Sequence, residues 1–480
     1  MEKKIRSDET DTVSLALVKL GLGIRQKDIT PEARRAARRL ILDTMGCMLA
    51  GWNQPGVRPL LDTLVQLGTD GPCTIPIIGK RARLDDAVTA ASLMAHALDY
   101  DDVHCEACLH LMCKLLPAVL LTGQVCHADG EAVLEAVIAG MEVGARIGRH
   151  FNSFSFLNSN IAGGFGVTAA LCRLMKLSEE QSVHAMGIYF SRASGNRQAL
   201  LEAAMVKRIQ PAFAAQSAVW AVMLAGNGLT GARQVFEGDA GLFEAYCRGA
   251  KCPSAEEFLK QQPFLEIERS SIKSFPTCGS HHGAVMAAMG LRKRHAFTLE
   301  EIERLDIFLM EAMRIVGNDF VISEHPQINA QFSAAYAVAA ALLRDEVVLD
   351  MFSDEAISGN EDIARLAAGA HMYSEYDGAL PDEYPGHIMR IVRVRLKNGI
   401  TYEEMRPNNP SALYPDRLSD REVDEKFRGC ARFSCICNEE RCERLIAAIR
   451  SMEKCRDIGS WMEENFVFEE AGRYSLKKDR

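Results

Sequence analysis

The chain has 480 residues, 25% of them charged and 48% apolar, with a formal net charge of -9 and a pI near 5.8. That length exceeds what one core usually serves, so more than one domain is expected, and the acidic balance argues against a nucleic-acid reader, which needs a basic face. No apolar run reaches the roughly 18 residues of a membrane helix, the opening MEKKIRSDETDTVSLALVKL lacks a secretory pattern, and the fifteen cysteines then read as thiols in a reducing cytoplasm.

In chain order, the first strong helix signal has Thr30 as N-cap and Pro31 at the first helical position, and it stops at Gly51. Ala33, Ala37, Leu40, Ile41 and Met48 share one face, and Arg34, Arg35, Arg38 and Arg39 the other. A short helix, PLLDTLVQLG, follows, and Asp86 is placed to cap the next, Ala87 to Leu98. Two more helices, LLPAVLLTGQVCHA and GEAVLEAVIAGMEVGARIG, are divided by Asp129-Gly130. The GGFG of IAGGFGVTAALCRLMKL has no β-α-β setting and is read as permitting close helix packing. PAFAAQSAVWAVMLAGNG, residues 211–228, reads as a buried helix.

Composition changes after Glu266. RLDIFLM (304–310) and HIMRIVRVRLKNG (387–399) alternate in the strand period, with Asn398-Gly399 as a hairpin turn, and a buried helix, AQFSAAYAVAAALL (330–343), lies between them. From Met405 the chain returns to helix. The expected division is residues 1–266 as the first part of a helical domain, 267–404 as an α+β domain, and 405–480 as the helical domain's C-terminal part.

The stretch AHALDYDDVHCEACLHLMCKLLP, from Ala95 to Pro117, places Asp99, Asp101, Asp102, His104 and His110 within a dozen residues. It lacks the turn glycine and final glutamate of a calcium loop, so no metal is assigned. A carboxylate beside an imidazole, each able to move the other's pKa, suits proton transfer instead. The cations Lys207 and Arg208 stand before the buried helix, either as a surface helix start or as holders of carboxylates. In SIKSFPTCGSHHGAV, Lys273, Cys278, His281 and His282 crowd a turn and suggest substrate binding or acid/base work. Gln331 and Ser333 read as parts of a capped core helix, with Tyr336 a further polar group on it, and His184 as structural. Cys430, Cys435, Cys437 and Cys442 match no common zinc or iron-sulfur spacing.

These elements together resemble the MmgE/PrpD family. LILDTMGCMLAG is similar to its L-D-x-x-G-x-x-x-A-G helix, AHALDYDDVH to H-x-L-D-F-D-D-T-H, and MVKRIQPAFAA to K-R-x-x-x-G-x-x-A, with Ala212 in place of the glycine. GARQVFEGDAGLF, SIKSFPTCGSHHGAV and AQFSAAYAVAAALL resemble three further family elements, in order along the chain. The chain departs from the pattern at Val103, at His110-Leu111-Met112, and at Leu157, where the family has a histidine.

The resemblance implies a mostly α fold, with a large all-α domain built from both chain ends and a smaller inserted α+β lid. It also implies a homodimer, and a cofactor-independent active site acting on a small di- or tricarboxylate. Carried over residue by residue, Asp99, His110, Lys207 and Lys273 would be catalytic, and Arg208, Cys278, His282 and Tyr336 would bind substrate. The implied reaction is that of a lyase, most simply a dehydratase of the 2-methylcitrate type. A cis-aconitate-type decarboxylase, an amino-dicarboxylate epimerase and a catalytically silent carboxylate-binding homologue are the alternatives.

Overall fold

The computed structural model describes residues 12–312, 320–322, 326–382, 386–408 and 418–472; residues 1–11, the start of the segment read for a secretory signal, lie outside them. The chain forms two compact units, one of residues 1–97, 101–270 and 423–480, the other of residues 98–100 and 271–422. The fold is dominated by helix.

In the first unit α1 (Val13–Gly23), α2 (Pro31–Gly51), α3 (Val57–Gln66), α4 (Leu84–His96), α5 (Met112–Cys126), α6 (Gly130–His150), α7 (Asn158–Leu174) and α8 (Glu179–Phe190) lead to the helix Val206–Gly226. α2 begins as its sequence demands, with the Thr30 hydroxyl accepting the Ala33 N–H at 3.0 Å. α1, which the periodicity did not mark, is capped by Thr12, and its apolar residues are too evenly spread to give an amphipathic signal. Asp86 is not the cap of α4: Arg83 takes that position, and Asp85 and Asp86 lie in the first turn, where the helix dipole favours acids.

The GGFG segment lies in α7 and packs backbone against backbone on α6. A Cβ on Gly166 would meet the Gly140 carbonyl oxygen at 2.5 Å, and one on Gly140 would meet the Gly166 carbonyl oxygen at 2.9 Å. Near the chain's end, Lys426 on the helix Asp420–Ser434 forms a buried 2.6 Å ion pair with Asp43 of α2. That pair joins the returning C-terminal segment to the second helix of the chain.

The second unit holds a four-stranded sheet in the order His371–Tyr373, Ile302–Phe308, Met389–Leu396, Thr401–Pro407. Leu305 pairs with Val394 and Ile307 with Val392 across the antiparallel centre, and Gly399 supplies the positive φ of the hairpin turn. These apolar residues share a core with the helices His282–Arg294 and Ala334–Arg344. The single helix expected over 330–343 is broken. Ser333 turns out of helical geometry and accepts the Tyr336 N–H, so Pro326–Gln331 and Ala334–Arg344 are separate helices.

Candidate active site

Within the first unit, the C-terminal residue of α4 and the first turn of the Val206–Gly226 helix are brought together. His96 Nδ1 lies 2.9 and 3.0 Å from the two carboxylate oxygens of Asp101, and Lys207 Nζ lies 3.0 Å from His96 Nε2. The Lys207 ammonium has only donors, so Nε2 accepts, and the imidazole proton is assigned to Nδ1, where it donates to Asp101. All three side chains are buried, and the order is carboxylate, imidazole, ammonium.

His110 stands beside this row, its ring centroid 5.6 Å from that of His96. Its Nδ1–H donates to the Asp102 carbonyl at 2.8 Å, with Asp101 Oδ2 3.7 Å away. The backbone of His110 is fixed from both sides. Its N–H donates to Ser159 Oγ at 2.9 Å, and its carbonyl accepts from Ser159 Oγ and from the buried Lys114 ammonium. The His110 side chain keeps 24% exposure where Asp101 has none, so it is the solvent-facing imidazole of the pair.

Asp102 differs from its neighbour. Burial, and then the charge of Asp101, push its carboxyl up to about 8, although it accepts the Met112 N–H at 3.0 Å. At neutral pH it is a neutral acid. Further along, His104 Nε2–H donates to Glu266 at 3.0 Å, and Arg149 binds the same carboxylate at 2.8 Å. Burial alone would raise Glu266, but these two partners outweigh it and hold the group at about 2. His104 is thereby a structural histidine, with its Nδ1 accepting the Ala107 N–H.

His96, Asp101 and Cys113 present ligand atoms within 4.8 Å of one another. Their chemistry does not suit a cation. Burial, and then the Asp101 charge, push the Cys113 thiol well up, and Lys207 already sets a positive charge on the same imidazole.

Within the second unit, Lys273 Nζ donates to Asp99 Oδ2 at 2.8 Å and to the Asp99 carbonyl at 2.6 Å, both side chains being buried. Asp99 takes φ +51°, a left-handed conformation that Asp tolerates better than most residues. The rest of the 98–100 segment is tied in the same way. Gln331 Nε2 donates to the Leu98 carbonyl at 3.0 Å and the Tyr100 hydroxyl to the Ser274 carbonyl at 3.2 Å. Near this pair, His281 Nδ1–H donates to Thr277 Oγ1, whose own proton goes to the Gln331 carbonyl. Burial, then the positive field of His282, drive the His281 imidazole down to about 3.

The expected residues are therefore gathered in two groups. His110 and Lys207 belong to the first, linked through His96 and Asp101, and Asp99 and Lys273 form the second. Arg208 is buried and donates to the Pro55 carbonyl at 3.1 Å. Cys278 donates its backbone N–H to the Gln331 carbonyl, and His282 packs edge-on against Phe275. Tyr336 lies in the core of the second unit, its hydroxyl donating to the Met351 carbonyl at 2.8 Å and its ring against Phe320 and Phe352.

His96 and Asp101 were not chosen as site residues from sequence, although both stand in the acidic stretch. The signal was there in the histidine that opens AHALDYDD. Its link to Lys207, 111 positions away, exists only in the folded chain.

Residues 16–254 match the MmgE/PrpD N-terminal domain and residues 275–453 the MmgE/PrpD C-terminal domain. The chain belongs to the MmgE/PrpD family. Among its relatives, this MmgE/PrpD protein is 26% identical to the cis-aconitate decarboxylase-like protein oryM of Aspergillus oryzae, over 91% of this chain and 93% of that protein. It is 26% identical to the cis-aconitate decarboxylase of Aspergillus terreus, over 91% and 92%, and 24% identical to that of Homo sapiens, over 91% and 90%. Among the described residues of this family member, no helix is long and apolar enough to cross a membrane.

Proposed function

We propose that the protein is a cofactor-independent lyase acting on a small unsaturated tricarboxylate, with decarboxylation of a cis-aconitate-type substrate as its reaction. The observation that carries this reading is the buried Asp101–His96–Lys207 row beside the part-exposed His110. It is supported by the near-full-length likeness to proteins named as cis-aconitate decarboxylases. That likeness moves decarboxylation ahead of the dehydration read first from the sequence.

The chemistry asks for cations and one proton. Losing CO2 from a carbon next to a double bond leaves an electron pair, which passes through the double bond to the far carbon, where a proton is taken up. Lys207 would bind a substrate carboxylate and stabilise the charge that develops. Asp101 would hold His96 in the tautomer that accepts from Lys207, keeping the ammonium aimed. His110, the imidazole with an exposed face, would deliver the proton. Within the second unit, Lys273, held by Asp99, is proposed as a carboxylate-binding cation on the family correspondence.

The test is incubation of the purified protein with cis-aconitate, 2-methylcitrate, citrate and an amino-dicarboxylate, following CO2 release, water loss and racemisation together. Release of CO2 from cis-aconitate alone bears the proposal out. Water loss from 2-methylcitrate without CO2 replaces it with the dehydratase reading. A raised melting temperature with no turnover of any substrate leaves a carboxylate-binding protein without catalysis.

A further inference from the structure

The cysteine cluster near the C-terminus plays no part in the proposed chemistry, and its geometry is specific. The helix Glu439–Arg450 starts at the N-cap Asn438, whose side chain accepts the Arg441 N–H at 2.9 Å. Cys437 is therefore the residue before the cap, and Cys442 the fourth residue of the helix. Those are the two positions whose side chains pack against each other across a capped helix start. In place of the usual apolar pair, two thiols stand at these positions, and the Cys437 thiol donates to the Asn438 carbonyl at 3.7 Å.

Cys437 is half-buried and Cys442 buried. The Cys442 thiol, and then the positive charges of Arg441 and Arg444, pull the Cys437 thiol below its ordinary value, while Cys437 raises Cys442. The partial positive charge of the helix N-terminus acts in the same direction on Cys437. Arg441 is held in place, its ring-facing guanidinium 3.7 Å from the Phe468 centroid and donating to the Val467 carbonyl. The arrangement thus sets a half-buried thiol just before the cap and a buried thiol in the first turn of the same helix.

We propose that Cys437 and Cys442 form a reversible oxidation site, in which Cys437 reacts with a hydroperoxide and Cys442 resolves the product to a disulfide. The Cys437 thiolate attacks the outer peroxide oxygen, the O–O bond breaks, and the leaving oxygen takes a proton to depart as water or alcohol. Cys437 is then a sulfenic acid. Cys442 then attacks the Cys437 sulfur as thiolate. The S–S bond forms, the S–O bond breaks, and hydroxide leaves with the Cys442 proton as water. Two thiols and one peroxide give one disulfide and two waters, or a water and an alcohol from an organic peroxide; an excess of small dithiol reverses the change.

The full-length protein, reduced and then given limiting hydrogen peroxide, is alkylated and digested with trypsin. Cleavage after Arg432, Arg441 and Arg444 places Cys435 and Cys437 in one peptide and Cys442 in another. The expected product is those two peptides joined, formed before any other of the fifteen cysteines is oxidised, still formed in Cys435→Ser, and lost on adding dithiothreitol. Cys442→Ser should stop at a sulfenic acid on Cys437 that a cyclic 1,3-diketone traps. The unmodified sequence decides the matter even if that variant folds poorly. Full alkylation of Cys437 after peroxide, a Cys435–Cys437 bond within one peptide, or equal oxidation across the cysteines would each overturn the proposal.

Discussion

Replacing Asp102 by Asn should change how stability depends on pH and little else. The carboxyl is fully buried, titrates at about 8 in the folded chain, and accepts the Met112 N–H at 3.0 Å, a bond the Asn carbonyl can keep. In the unfolded chain an Asp titrates near ~3.9. Between about pH 4 and about pH 8 the unfolded state therefore gives up a proton that the folded state retains. Stability must fall with rising pH across that window, by about 1.4 kcal/mol per pH unit from this one group. Asn carries no such proton. The variant should gain on the parent by about 1.4 kcal/mol for each unit from pH 5 to pH 7, starting near parity at the acid end. All three tryptophans, Trp52, Trp220 and Trp461, lie in the first unit with Asp102, so urea unfolding followed by tryptophan fluorescence reads the relevant transition. Parallel pH profiles for the two proteins would refute the reasoning, because Asp102 would then be ionised in both states.

Lys207→Ala should lower turnover on the order of a hundredfold or more with the melting temperature nearly kept, since His96 keeps its hydrogen bond to Asp101. Lys273→Ala should lose activity and stability together, because it strands the buried Asp99 carboxylate, a loss of roughly 3 kcal/mol or more by denaturation of the second unit. Glu266→Gln should remove an acid-sensitive stabilisation. The folded carboxylate titrates at about 2 against the ordinary 4.5 of a glutamate, so its contribution of about 3 kcal/mol is whole above about pH 4.5 and fades as pH falls towards 2. Gly166→Ala should cost about 1–3 kcal/mol by thermal melt, since its methyl would press on the Gly140 carbonyl.

Much of this architecture was legible because local physics governs it. Thr30 and Pro31 start α2, Asp129-Gly130 separates α5 from α6, and Asn398-Gly399 turns the hairpin, each through backbone preferences that neighbouring residues cannot override. Where apolar residues stand on the open face as well as the buried one, as in α1, the signal failed, and where a hydroxyl competed for the backbone, as at Ser333, one expected helix became two.

By itself, the amino-acid sequence determined the helical character, the strand-period segments, the acidic and imidazole stretch as the place to look, and the family, since six ordered elements depend on residue identity alone. Only the tertiary structure decided the partners. It set Lys207 on His96, Lys273 on Asp99, and the Tyr336 hydroxyl on a core carbonyl, and it made Asp102 a neutral acid beside Asp101. Charge pairing and pKa depend on distance and on exclusion of water, and neither has a value until chain segments far apart in sequence have packed.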